Sequence, residues 1–351
     1  MLLSDELETE PIWVLNNGVA HGDSIPTGQV LPILQDALDS LEFIMGPANS
    51  TWGSIRAAMG RVDPWQLKYV AIGNEDCGKP YYTNNYNLFY GAFRAAYPHL
   101  QLISNCDMGN DAPTDLWDWH VYTNPTNMFN LRTAFDGRDP GAGHLVFASE
   151  YAVTDGGGWG NLIGAVAEAA FMTGLERNGA AVPLAAYAPL FVNWNDRTWP
   201  TNMIVFDNHR WFGIPSYHVQ RLFREAQGVA YVSTIVQRGA ETTLAASTTC
   251  LNHDCDRLAL KLVNFSPGTL RVNIQFGGSG GRPRVRSDAE GVVITSLGPS
   301  DENSFDDPLK VSPTGLTLSG LSQSFSLELD PWSVNVLRVQ VGLEPSFAME
   351  Y

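Results

Sequence analysis

Two glutamates stand where catalytic carboxylates would be useful. Glu75 lies in KYVAIGNEDCG, Lys68 to Gly78, where the apolar run Tyr69–Ile72 passes into Gly73, Asn74, Glu75 and Asp76. Glu150 lies in LVFASEYAV, Leu145 to Val153, after Leu145, Val146 and Phe147. A continuous apolar run with a β-branched residue suits a strand covered on both faces, as in a parallel sheet wrapped by helices. Polar residues at the carboxyl ends of such strands are where α/β barrels keep their chemistry. Two carboxylates at one barrel mouth suit glycoside hydrolysis. One protonates the leaving oxygen, and the other attacks the anomeric carbon or activates a water that does. The retaining route needs them about 5–5.5 Å apart. Asn74, beside Glu75, supplies an amide that can hydrogen-bond a sugar hydroxyl. A bare Gly-Asn-Glu tripeptide is a weak signal, and a strand-end glutamate is more often a salt-bridge partner.

These residues need a scaffold, and the chain reads as two kinds of element. Strands are expected at 12–16, 67–73, 100–105, 116–122, 144–149 and 182–190, six in all, alternating with helices to about residue 227. Leu34, Ala37, Leu38, Leu41 and Met45 place an amphipathic helix over 28–45. A loop is expected from Gly46 to Trp65. Tyr86, Phe89, Tyr90, Phe93 and Tyr97 form a helical stripe, stopped by Pro98 and read as core packing rather than a sugar platform. A helix follows at about 161–178, and another begins at Ser216 as N-cap. The alternation predicts a parallel α/β sheet or barrel, of which a (β/α)8 barrel needs eight strands. After residue 228 the period changes to two in LALKLVNF, TLRVNIQF, SFSLELD and SVNVLRVQV, which predicts an antiparallel β-sandwich. The expected domains are 1–227 and 228–351. The sandwich shows no aromatic cluster marking it as a sugar-binding module and reads as a structural partner.

Composition narrows the function. The 351 residues are 44% hydrophobic and 17% charged, a globular balance. A net charge of −16 argues against nucleic acid or an anionic membrane as partner and fits a neutral or weakly charged substrate. No apolar run approaches a membrane span. The lead MLLSDELETE is acidic, lacks a signal-peptide core and reads as a cut end. Cys77 and Cys106 follow neighbouring strands and read either as a bridge or as buried thiols; Cys250 and Cys255 can close a small loop in an oxidising compartment. No Cys/His spacing resembles a zinc site, and no metal or cofactor is expected. Asn49-Ser-Thr and Asn264-Phe-Ser are N-glycosylation sequons, a weak pointer to secretion.

KYVAIGNEDCGKPYY, LISNCD, DWHVYT, VFASEYAV, YAPLFVNWNDRTWPTNMIVF and GIPSYHVQRLF occur in this order. Together they resemble the α-L-arabinofuranosidases of glycoside hydrolase family 51, in their fungal and plant form. The resemblance runs from about Glu10 to residue 227, with weaker motifs in the sandwich. It implies an incomplete (β/α)8 TIM-type barrel, strands three to eight, followed by an all-β antiparallel sandwich. It implies Glu75 as acid/base, Glu150 as nucleophile, Asn74 as the amide at the sugar 2-hydroxyl and Tyr122 as an active-site tyrosine beside the nucleophile. His120, on the same strand, serves as a core histidine or as catalytic support. Asp76 is expected to cap or pair locally. Trp194, Trp199 and Asn202 lie in a loop that closes over the sugar in such enzymes, and Asn16 and Asn17 can face the pocket. The implied reaction releases terminal α-L-arabinofuranosyl groups from plant cell-wall polysaccharides such as arabinoxylan or arabinan, outside the cell. Two alternatives stand beside it: a silent carbohydrate-binding fragment, and a related glycosidase acting on xylosides or glucans.

Overall fold

The computed structural model describes residues 1–109, 111–141, 143–237, 239–277 and 283–342. The chain forms two compact units, Met1–Trp119 with Asp139–Ala148, and His120–Arg138 with Ser149–Tyr351. The chain therefore crosses between them at 119/120, 138/139 and 148/149.

The first unit holds β1 (Ile12–Leu15), β2 (Tyr69–Ile72), β3 (Gln101–Ser104) and the leading parts of β4 (Leu116–Thr123) and β5 (Leu145–Val153). β1 to β4 pair in parallel in sequence order, with Ile72 opposite Leu15 and Ser104. Its helices are α1 (Leu2–Glu6), α2 (Leu31–Met45), α3 (Thr51–Ala58) and α4 (Tyr82–Ala96). The periodicity behind α2 and α4 becomes packing: Leu34, Leu41 and Ile44 of α2 and Tyr86, Phe89 and Phe93 of α4 share one core with Val70, Ile72 and Leu102. Phe89 and Phe93 are fully buried, and truncating either to alanine would cost about 3–5 kcal/mol. The stripe on α4 is core, as its spacing predicts.

One expectation is corrected here. The segment 46–65 is not all loop: Ser50 accepts a hydrogen bond from the Gly53 amide and starts α3. Inside it Arg56 is 1% exposed, and its guanidinium donates to the carbonyls of Phe43, Ile44, Arg61 and Val62. The acidic lead forms α1, where Asp5 accepts from Arg61 and from the Trp65 indole.

The second unit carries the trailing parts of β4 and β5, α5 (Pro125–Asn130), α6 (Leu162–Arg177), β6 (Leu184–Tyr187) and α7 (Pro215–Glu225). The sheet order is β1-β2-β3-β4-β5-β6, six strands, so β1 and β6 pair on one side only among the described residues. This is the strand set of an incomplete (β/α)8 barrel. The last strand is shorter than 182–190. Beyond the cis Ala188–Pro189 peptide the chain turns into a separate three-stranded sheet, β7 (Phe191–Asn193), β8 (Ile204–Phe206) and β9 (Trp211–Gly213), where a loop is expected. Ser216 does not cap α7. Pro215 takes the first turn, where its missing N–H costs nothing, and Ile214 is the N-cap.

The rest of this unit is antiparallel β-structure: β10 (Ala230–Val232), β11 (Leu244–Cys250), β12 (Arg257–Asn264), β13 (Leu270–Gln275), β14 (Arg284–Val285), β15 (Asp288–Ile294), β16 (Thr314–Ser319), β17 (Ser324–Leu329) and β18 (Ser333–Gly342). One sheet runs β10-β11-β12-β18-β15-β16, with β14 also on β18; β13 and β17 form the other. Leu258, Leu260, Leu262 and Leu337 from the first share a core with Val272 and Leu329 from the second. That is the sandwich the period-two pattern predicts. β11, β12 and most of β18 are buried along nearly their whole length, because α6 packs on the face away from that core. No helix among the described residues is long and apolar enough to cross a membrane.

Candidate active site

In the first unit, β2 ends in a bend that only unusual backbone can make. Gly73 has φ +87°, and a Cβ there would strike the side chains of Asn105 and Asp76. Glu75 has φ +54°, the left-handed region, without being glycine. A β-carbon in that region costs about 1–2 kcal/mol, and such strain concentrates at functional sites. The neighbours hold the bend in place. Asp76 is buried, accepts from the Asn74 amide at 3.0 Å and pairs with Lys79 at 2.8 Å. Its expected local pairing is therefore what the structure shows. The Tyr82 hydroxyl donates to the Ile72 carbonyl at 3.2 Å and accepts from the Asn105 amide at 3.0 Å, joining the ends of β2 and β3; burial pushes that phenol well above its ordinary pKa. Cys77 and Cys106 are bridged across the same two strand ends, with Cα atoms 6.1 Å apart. Asn74 and Glu75 themselves are exposed.

Asn16 and Asn17 follow β1 in the same unit. The Asn16 side chain folds onto its own turn, donating to the Val19 carbonyl and accepting from the Gly18 amide. Asn17 is fully buried; its carbonyl accepts from Asn85, and its side-chain amide has no hydrogen-bond partner among the described residues.

In the second unit, β4 and β5 bring three predicted residues together. The Tyr122 hydroxyl donates to Glu150 Oε2 at 2.5 Å, and His120 Nδ1 lies 3.5 Å from the same oxygen. An O–H donor at that distance to a carboxylate is a charge-assisted hydrogen bond, roughly twice as strong as a neutral one. Glu150 is half-buried, so the carboxylate is oriented yet open to a substrate. The next residue, Tyr151, is buried and accepts from the Gln220 side chain of α7 at 2.8 Å. The Val153 amide donates to Glu168 of α6 at 2.8 Å. These two bonds fix the strand on which Glu150 rides. Trp199 stands edge-on to Tyr122 with ring centroids 5.2 Å apart. Asn202 is buried and donates to the Trp199 carbonyl at 2.7 Å, so it anchors the tryptophan. Trp194 lies further along the loop, against Phe305.

Thus Glu150, Tyr122, His120, Trp199 and Asn202 form one cluster in the second unit. Asn74 and Glu75 form a strand-end feature in the first, where Asn17 is enclosed. Sequence reasoning missed Gln220 and Glu168, the two side chains that steady β5. Both lie on predicted helices, but neither has a motif to single it out. Cys250 and Cys255 are bridged, with Cα atoms 4.8 Å apart.

Two family profiles match: the α-L-arabinofuranosidase 1 domain over residues 1–139, and the α-L-arabinofuranosidase C-terminal domain over residues 150–333. Alpha-L-arabinofuranosidase 1 of Arabidopsis thaliana is 44% identical over 337 residues, covering 94% of this chain and 49% of that protein. The probable alpha-L-arabinofuranosidase A of Aspergillus flavus is 32% identical, covering 90% of this chain and 50% of that one. The chain spans about half the length of these relatives. An arabinose-bound MgGH51 α-L-arabinofuranosidase structure superposes with a TM-score of 0.87 at 26% identity, covering 97% of this chain and 56% of that one.

Proposed function

The chain belongs to the α-L-arabinofuranosidase family, glycoside hydrolase family 51, and from that premise we propose that it carries the catalytic carboxylates of a retaining exo-glycosidase. Glu150 attacks the anomeric carbon of a terminal α-L-arabinofuranosyl group and forms a glycosyl ester. Glu75 gives its proton to the departing oxygen, then takes a proton from the water that cleaves the ester, and both carboxyl groups return to their starting states. Tyr122 holds one oxygen of Glu150 so that the other is free to attack. Asn74 hydrogen-bonds the sugar 2-hydroxyl, where such a bond strengthens in the transition state.

The observation that carries this reading is the short Tyr122–Glu150 hydrogen bond at the end of a barrel strand. The strained backbone at Glu75, also at a strand end, supports it. The substrate we propose is a neutral cell-wall polysaccharide bearing arabinofuranose, such as arabinoxylan or arabinan. The acidic net charge of −16 and the bridged pairs Cys77–Cys106 and Cys250–Cys255 support action outside the cell, since bridges persist in oxidising compartments.

An aryl α-L-arabinofuranoside tests the assignment. Glu150→Ala is expected to abolish release of the aryl group, and azide is expected to rescue it as an arabinosyl azide of inverted configuration. Glu75→Ala is expected to lose most activity on poor leaving groups and to give a retained azide. Full activity in Glu150→Ala would end the proposal.

A further inference from the structure

Two exposed tryptophans of the second unit share one arginine. Trp159 is 48% exposed and Trp194 49%, although tryptophan is on average a highly buried residue. Arg197 joins them. Its guanidinium lies 4.5 Å from the Trp159 ring centroid and 5.7 Å from that of Trp194. Its Nη2 donates to the Trp159 and Pro200 carbonyls, both at 2.7 Å. Pro200 follows Trp199, the ring that stands against Tyr122 and so leads to Glu150. A relay of contacts therefore links the two indoles to the nucleophile.

The sandwich fixes this surface. Between β15 and β16 the chain runs back against the loop after β5. The Trp159 amide donates to Glu302 Oε1 at 2.8 Å, and the Leu162 amide donates to the Asp301 carbonyl at 2.9 Å. Gly158, at φ +55°, leaves the space that Glu302 occupies; a Cβ there would collide with it. Asn303 donates to the Gly213 carbonyl at 2.9 Å, and Phe305 stands edge-on to Trp194 with centroids 5.7 Å apart. Two loops and a sandwich connection thus hold two indoles that remain half open to solvent. Burying them would have been favourable. An exposed aromatic patch held this firmly marks a ligand surface. Pyranose chairs present a face of axial C–H groups that packs on an indole face. The acidic chain disfavours a polyanion.

We propose that Trp159 and Trp194, fixed around Arg197, form a subsite for the neutral pyranose main chain that bears the arabinofuranosyl group to be removed. The proposal rests on the glycosidase reading above, and it gives the sandwich a part in substrate binding. The probe is unsubstituted xylohexaose, which has no arabinose to cleave. Titration calorimetry on the full chain is expected to show binding, weakened about tenfold by Trp159→Ala or Trp194→Ala, about 1.4 kcal/mol. Trp159→Tyr is expected to recover part of it, and Glu150→Ala to bind as the wild type does. Absence of xylohexaose binding by the wild type, or equal binding by the alanine variants, overturns the subsite. Aryl arabinofuranoside hydrolysis, which needs no main chain, reports separately on the carboxylates: it is expected to be unchanged in Trp159→Ala.

Discussion

Replacing Lys261 by methionine isolates the most deeply buried charge pair described in the second unit. Lys261 on β12 is fully buried, and its Nζ lies 2.7 Å from Glu176 Oε1 at the end of α6. It also donates to the Ala226 carbonyl at 2.9 Å and to Thr249 Oγ1 at 3.0 Å. Glu176 Oε2 accepts from Ser247 at 2.5 Å, and that side chain is 18% exposed. Burial dominates both titrations: it pushes the Glu176 carboxyl up and the Lys261 ammonium down, against the pull of the partner charge. The pair therefore resists separation but is not itself a large net gain. Lys261→Met strands a mostly buried carboxylate and should cost about 3 kcal/mol, the low end for a broken buried pair because water still reaches Glu176. Glu176→Met strands the fully enclosed ammonium and should cost at least as much. The double variant should recover most of the loss, since apolar replacement of a whole buried pair is often neutral. Urea midpoints at pH 7 measure all four proteins, and low and high salt should give the same cycle because the pair is shielded from ions. The pH signs follow from the shifts. Lys261, lowered in the fold, penalises folding while charged, and the penalty fades as pH rises toward its unfolded value. Glu176, raised in the fold, penalises folding while ionised, and the penalty fades as pH falls toward its unfolded value. The double variant should lose both slopes. A Lys261→Met protein as stable as the wild type, or a double variant showing the full sum of the two losses, would refute this reasoning.

Other expectations are equally direct. Tyr122→Phe removes the hydrogen bond to Glu150 and should lower kcat/KM on the aryl arabinofuranoside by about 10- to 100-fold, the worth of a bond to a charged group, with little change in thermal midpoint. Burial raises the Glu168 carboxyl to about 7, so the stability it contributes is complete below its unfolded pKa and is lost as pH rises through 7; Glu168→Gln should flatten that part of a urea-midpoint profile. Secretion from a eukaryotic host should give a glycan at Asn49, exposed in the turn before α3. None is expected at Asn264, which is fully buried and donates to the Gly268, Leu329 and Asp330 carbonyls. Endoglycosidase treatment should therefore shift the wild type and Asn264→Ser alike and leave Asn49→Gln unchanged.

Elements with strong periodicity were legible in the sequence. The apolar runs at Tyr69–Ile72 and Leu145–Val153 and the stripe on α4 encode their own burial, so strands and helices fall within a few residues of expectation. Features that depend on distant partners were not. No motif marks Arg56, yet four backbone carbonyls converge on it. The small sheet β7–β9 has strands of three residues each, too short for a period to show. Trp159 sits in a glycine-rich turn with no pattern of its own, and its support, Glu302, lies far along the chain. At the candidate site, the strand-end glutamates and Tyr122 could be named from motifs. The backbone strain at Glu75 could not, because nothing in a Glu codes for a left-handed conformation.

The three passages of the chain between the two units have a consequence for anyone who would dissect this protein. Neither unit is a contiguous stretch, and two of the crossings cut through β4 and β5. No single stop codon, protease site or exon boundary can release one unit intact, so truncation libraries will give broken strands rather than separable parts.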